Sequence, residues 1–99
     1  MQINLSVRHG HLSEASQAKV VAKFEKLNRI FERLTAIEVT VDLQDEESPS
    51  VDARASSEHK HDFVASESSS TLMSAVDAVM HKMEQQLRKH KEKIQDHHR

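Results

Sequence analysis

Basic side chains spaced along helical faces are the residues of this chain with the most pointed chemistry. From Lys82 to Lys93 the order is Lys-Met-Glu-Gln-Gln-Leu-Arg-Lys-His-Lys-Glu-Lys. At about 100° per residue, Lys82, Lys89 and Lys93 line up beside an apolar arc of Met73, Val76, Val79, Met80, Met83 and Leu87. A second group, Lys19, Lys23, Lys26, Arg29 and Arg33, falls on one flank of another apolar stripe, with Glu14, Glu25 and Glu32 on the other flank. Rows of ammonium and guanidinium groups hold phosphate without reading bases, which is how structured RNA is gripped. A solvated helix face has the same pattern. Two features favour anion binding: the sorting occurs on both helical stretches, and the acids are sent elsewhere.

The net charge of −2 hides that separation. Lys19 to Arg33 holds five bases against two acids, and Asp77 to Arg99 six against four. Between them, Ala36 to Glu67 holds nine acids against two bases. A molecule built this way is strongly polarised, and its acidic part repels phosphate.

Other chemistries have weaker support. Eight histidines include His9-x-His11, His59-x-His61 and His97-His98, but none of these pairs has a third ligand set by helical spacing, so they read as loop and tail histidines in water. Neither a metal nor a cofactor is expected. Ser66, His61 and Asp62 are residue types found in catalytic triads, yet neighbouring strand residues point to opposite faces, and no nucleophile elbow or phosphate loop accompanies them. No enzyme activity or small-molecule substrate is expected. The chain has no cysteine, which removes thiol chemistry. It has no Trp or Tyr, and its three Phe fall on core positions, so base stacking of single-stranded RNA is disfavoured. His90 neighbours the basic row and also lies on the apolar one, where packing is its expected role.

Elements must position these residues. Ile3, Leu5 and Val7 alternate with polar residues as a one-sided strand. Ser13 followed by Glu14 starts a helix, and Val20, Phe24, Leu27, Phe31 and Leu34, spaced 4, 3, 4, 3, predict that it runs to about Leu34. Ile37, Val39, Val41 and Leu43 give a second strand with an acidic outer face. Residues 45–50 form a charged, proline-containing turn. Val51, Ala53 and Ala55 make a third strand, and Phe63 and Ala65 a fourth. Ser68-Ser69-Ser70-Thr71 offers N-caps for a final helix that begins around Ser70 and reaches about Ile94. The order β-α-β-β-β-α predicts an α+β, two-layer fold: a four-stranded mixed sheet with a parallel first pair and an antiparallel meander, and two helices on one face. The 99 residues fit a single domain over 1–95 with a short frayed tail at 96–99. No apolar run reaches the roughly 18 residues of a membrane span, and no export signal is evident, so a cytoplasmic protein is expected.

With that order in place, the chain resembles the short ribosome hibernation promoting factors and the related ribosome-associated inhibitor of translation. The likeness runs from Met1 to about Lys93. It is carried by the opening Met-Gln-Ile-Asn, by Ala22-Lys23-Phe24-Glu25-Lys26-Leu27, Asp52-Ala53 and Ser74-Ala75-Val76-Asp77, and by Lys82 with Gln86-Leu87-Arg88-Lys89-His90-Lys91-Glu92-Lys93. The resemblance implies a double-stranded RNA-binding-domain-like fold that sits in the mRNA and tRNA channel of the small ribosomal subunit. There it stalls translation in resting cells and, for the hibernation factors, favours ribosome pairing. Its implied partners are the small subunit and its rRNA, with a second small hibernation factor as a further candidate; off the ribosome a monomer is expected. The resemblance carries Lys23, Lys26, Lys82, Lys89, Lys91 and Lys93 as RNA contacts. Arg88 stands in the same run, and Lys19 joins by helix geometry. Gln85 stands where relatives often have arginine, and Met73 where many have tyrosine. The absence of a long tail or second domain favours the short hibernation type. The same family is also described as modulating an alternative sigma factor, which makes a protein-interaction module the rival reading.

Overall fold

A computed structural model describes residues 2–58 and 62–96, with side chains described as far as Lys91. Alternation places β1 (Gln2–Arg8) as expected, with Ile3, Leu5 and Val7 half-buried on one side. β1 pairs in parallel with β2 (Leu34–Asp42), and β3 (Ser50–Ser57) and β4 (Asp62–Ser68) add antiparallel neighbours, giving the sheet order β1-β2-β3-β4. α1 (Glu14–Glu25) and α3 (Leu72–Asp96) cover one face of this sheet. The two-layer α+β architecture and the mixed sheet read from the sequence are those of the protein.

The first helix differs from its predicted extent. It stops at Glu25, a single turn α2 (Leu27–Ile30) follows, and Phe31 leaves the helix in an extended conformation (φ −140°, ψ 99°). At the break the Lys26 N–H donates to both Lys23 O and Phe24 O, which tightens the last turn. Leu34 belongs to β2, three residues ahead of the predicted strand. The 4, 3, 4, 3 spacing survives because a helix, a tight turn and a strand can each deliver an apolar residue to the same core at that interval. Thr35 is an extra residue in β2: Leu34 lies opposite Ser57 and Ala36 opposite Ser56. This bulge lets Leu34 and Ile37, an odd number of positions apart, both face inward.

The core joins Val20, Phe24 and Leu27 to Ile37, Val39 and Val41, and to Val76, Val79, Met83 and Leu87 of α3. Beneath α3 the inward positions of β3 and β4 include Ala53, Ala55 and Ala65, whose small side chains admit the bulky Met and Val row of the helix. Met73 packs against this core half-buried. The outer sheet face is polar. Its central row runs Asn4, Glu38, Arg54, Val64 across the four strands, and Arg54 approaches Asp62 at 3.9 Å, so the acidic character expected for this face is tempered at its middle.

Loops close the two ends of the sheet. Asp45 accepts from the Glu47 N–H at 3.0 Å through its side chain and from the Ser48 N–H at 3.0 Å through its carbonyl, which makes a turn of the charged 45–48 segment, while Pro49 is buried and Ser50 already belongs to β3. The chain's one glycine, Gly10, serves close approach: a Cβ there would lie 2.9 Å from Leu43 Cβ. Its neighbour His9 takes the left-handed conformation, at φ 58°. The hairpin residues His59, Lys60 and His61 and the tail histidines His97 and His98 lie outside the described residues.

Candidate RNA-binding surface

Caps fix where each basic row begins. Ser13 takes an extended conformation and its Oγ accepts from the Ser16 N–H at 3.1 Å, so α1 starts at Glu14 with an acid in the first turn. Thr71 does the same for α3, accepting from the Ser74 N–H at 3.2 Å. With Val20 and Phe24 turned to the core, Lys19 and Lys23 fall on the α1 flank that faces α3, and Lys26 follows at the C-cap, in the same cleft as Lys23. Glu14 and Glu25 fall on the flank toward the free edge of β1.

The two helices run side by side. Lys23 forms an ion pair with Asp77 across the seam. Lys23 and Lys26 line an open cleft of about 230 Å³ together with Asp77, Met80, His81 and Glu84. Lys26 also borders a second hollow of about 540 Å³ beside β1, where Arg29, Glu25 and Ile3 contribute. Further along, Phe31 meets His90 edge to face at a centroid distance of 5.5 Å, and His90 meets Phe63 at 5.1 Å. His90 therefore packs among aromatic rings, the role expected from its place on the apolar row.

α3 does not carry its bases on one line. Lys82 pairs with Glu67 of β4, and Gln86 Nε2 donates to the Val64 carbonyl of β4 at 2.8 Å. That flank hangs over the β4 edge, and Lys89, seven residues beyond Lys82, shares it. Arg88 and Lys91, four and seven residues beyond Glu84, lie on the flank toward α1 and α2. Gln85 is exposed on the crest between the two flanks. The structure thus brings Lys23 and Lys26 together at the seam and sets Lys82 and Lys89 on the far side of the crest. All belong to the outward surface of the helix layer, opposite the sheet. Lys19 is exposed one turn before Lys23, and the side chain of Lys93 lies outside the described residues.

Sequence reasoning did not place three acids among these bases. Asp77 and Glu84 sit in the seam and Glu67 sits against Lys82. Asp77 and Glu84 are seven apart and share a helical flank, so a helical wheel shows them together; Glu67 is on another element, and only the fold brings it to Lys82. His81, exposed in the seam, lines the same cleft as Lys23 and Lys26. Lys19, Lys26, Arg88, Lys89 and Lys91 have no ion pair among the described residues.

Away from this surface, His9 Nδ1 lies 3.0 Å from Asp42 Oδ1, and the Gln44 N–H donates to Asp42 at 2.9 Å. The Gln44 bond first, and the His9 ring second, hold the Asp42 carboxyl below its usual range. Ser66 donates its hydroxyl to Asp52 on the outer sheet face. Among the described residues no three His, Asp or Glu side chains are grouped to hold a metal ion, and no helix is long and apolar enough to cross a membrane.

Residues 3–95 match the profile of the family described as sigma 54 modulation protein / S30EA ribosomal protein. The chain belongs to that family. Within it, the ribosome hibernation promoting factor of Escherichia coli K12 is 30% identical over 97 residues, which cover 98% of this chain and 100% of the relative. The factor of the same name from Klebsiella oxytoca is 28% identical over 99 residues, again along its whole length. Among solved structures, a ribosomal subunit interface protein from Coxiella burnetii superposes with a TM-score of 0.82 at 23% identity, covering 92% of this chain and 98% of that one. The N-terminal domain of Protein Y from Thermus thermophilus gives 0.77 at 16% identity, over 90% and 98% of the two chains. Both structures share the two-layer α+β fold described above.

Proposed function

We propose that this protein is a ribosome hibernation factor. It binds the small ribosomal subunit and its rRNA in the mRNA and tRNA channel, inhibits translation, and favours inactive ribosome dimers in stationary phase or stress. It acts in the cytoplasm, without catalysis, through the outward surface of its helix layer. One observation carries this reading. Lys19, Lys23, Lys26, Lys82, Arg88, Lys89 and Lys91 all emerge on that layer, while the opposite sheet face is net acidic, so a phosphate surface meets the molecule from one side. Full-length likeness to proteins named ribosome hibernation promoting factor supports the partner.

The test is co-sedimentation with small subunits of the wild type and of the variant Lys82→Glu/Lys89→Glu/Lys93→Glu, with far-ultraviolet circular dichroism to confirm folding. The expected result is retained helix content and lost pelleting. Intact binding by the folded variant removes the site assignment. The family description also favours a second reading, modulation of an alternative sigma factor by protein contact. Ribosome sedimentation profiles separate the two: a sigma-factor partner leaves them unchanged on addition of this protein.

A further inference from the structure

We infer that Asp77 and Glu67 are internal counter-ions that set the affinity of this surface for RNA, by competing with phosphate for Lys23 and Lys82. The inference rests on the RNA-binding reading above and concerns how that surface is tuned. Two of its lysines are already occupied in the free protein, and by acids from other elements: Lys23 of α1 by Asp77 of α3, and Lys82 of α3 by Glu67 of β4. The neighbouring bases Lys19, Lys26, Arg88, Lys89 and Lys91 have no such partner among the described residues. Both pairs lie at the surface, with the Lys23 and Lys82 side chains 34% and 51% exposed, so a phosphate can reach each ammonium group.

A phosphate that engages Lys23 or Lys82 must either displace the carboxylate or share the lysine with it. Either way a like charge remains well within a Debye length, about 10 Å at 0.1 M salt, and is only partly screened. Affinity gained at the lysine is returned in part at the acid. The salt response changes too. Each phosphate neutralised releases counter-ions from RNA, but a carboxylate freed from its lysine takes up a cation, so a pre-paired lysine adds less to the salt slope than an unpaired one. The two pairs therefore make binding weaker and more readily reversed than the count of lysines indicates, without changing what is recognised.

The test compares Asp77→Asn, Glu67→Gln and their combination with Glu38→Gln, which removes the same charge from the exposed outer sheet face. Each is assayed by small-subunit co-sedimentation across a salt series. We expect Asp77→Asn and Glu67→Gln each to bind about two- to five-fold tighter than Glu38→Gln near 0.1 M salt, the range set by exposed ion pairs. The combined variant should gain about ten-fold. The slope of log affinity against log salt should steepen by about 0.7–0.9 for each acid removed. A merely structural acid would change thermal stability and leave that slope alone. Variants that bind no tighter than Glu38→Gln overturn the proposal. So do variants that bind more weakly, which would make the acids supports that position their lysines. Failure of the RNA-binding reading looks different: the wild type itself does not pellet with subunits.

Discussion

At the residue scale, Gln85 and Gly10 show how one position sets a local property. Gln85 stands on the crest of α3, exposed, between Lys82 and Lys89 on one flank and Arg88 on the other. A guanidinium there bridges the two flanks and adds one phosphate contact, so Gln85→Arg should tighten small-subunit binding by about three- to ten-fold near 0.1 M salt, measured by co-sedimentation. Unchanged affinity would mean that the crest does not face RNA. Gly10→Ala forces a Cβ to within 2.9 Å of Leu43, so the β1–α1 loop must shift. The expected cost is about 1–3 kcal/mol in urea denaturation. Asp42 adds a pH signature. Its folded pKa is depressed below the ordinary carboxylate value, so its contribution to stability is present above the unfolded value and is lost as pH falls through the folded one. Asp42→Asn should thus melt lower than wild type at neutral pH, and the gap should close below about pH 4. Gly10 was visible in the sequence as a singular residue. Its steric reason was not, because Leu43 is 33 positions away and reaches it only through the β1–β2 pairing.

At the element scale, strands and helices were legible where one period ran uninterrupted. β1, β3 and β4 alternate cleanly, and α3 repeats its apolar row from Met73 to Leu87. The break at Lys26 and the non-helical end from Phe31 to Leu34 were not legible, because the stretch keeps the helical interval while the chain passes from a turn through α2 to a strand. What stabilises the departure is tertiary: Phe31 leaves α2 to pack edge-on against Phe63 at 6.2 Å and against His90. Phe31→Ala should therefore cost about 3–5 kcal/mol in urea denaturation, while Arg29→Ala, exposed two residues earlier, should stay within about 0.5 kcal/mol. Comparable losses at both sites would show α2 to be held by its own helicity and not by the aromatic cluster. The divided surface on α3 follows from the same limit. The helical wheel gave the flanks correctly, but which flank faces α1 and which overhangs β4 depends on the sheet order.

At the scale of the whole molecule, the net charge of −2 coexists with a cationic helix layer and a net acidic sheet face. That separation was legible, because segment charges are additive along the chain. The internal ion pairs were not, because they join residues 54 and 15 positions apart. The distinction bears on how the molecule responds to salt. Counting every base of the proposed site would give a steep dependence, whereas Lys23 and Lys82 enter already paired. The bases with no ion pair among the described residues, Lys19, Lys26, Arg88, Lys89 and Lys91, give five contacts and a slope of about −4 in log affinity against log salt. Small-subunit association should then fall roughly 10²- to 10³-fold between about 50 and 200 mM monovalent salt, measured by co-sedimentation at fixed magnesium. Glu38→Gln should leave that slope unchanged, because its charge lies on the sheet face opposite the proposed binding surface. Salt-insensitive pelleting would remove electrostatics as the main source of binding, and the basic surface with it. A slope near −1 would mean that only one or two of these bases reach phosphate, which would place the contact at one flank of α3 instead of across the helix layer.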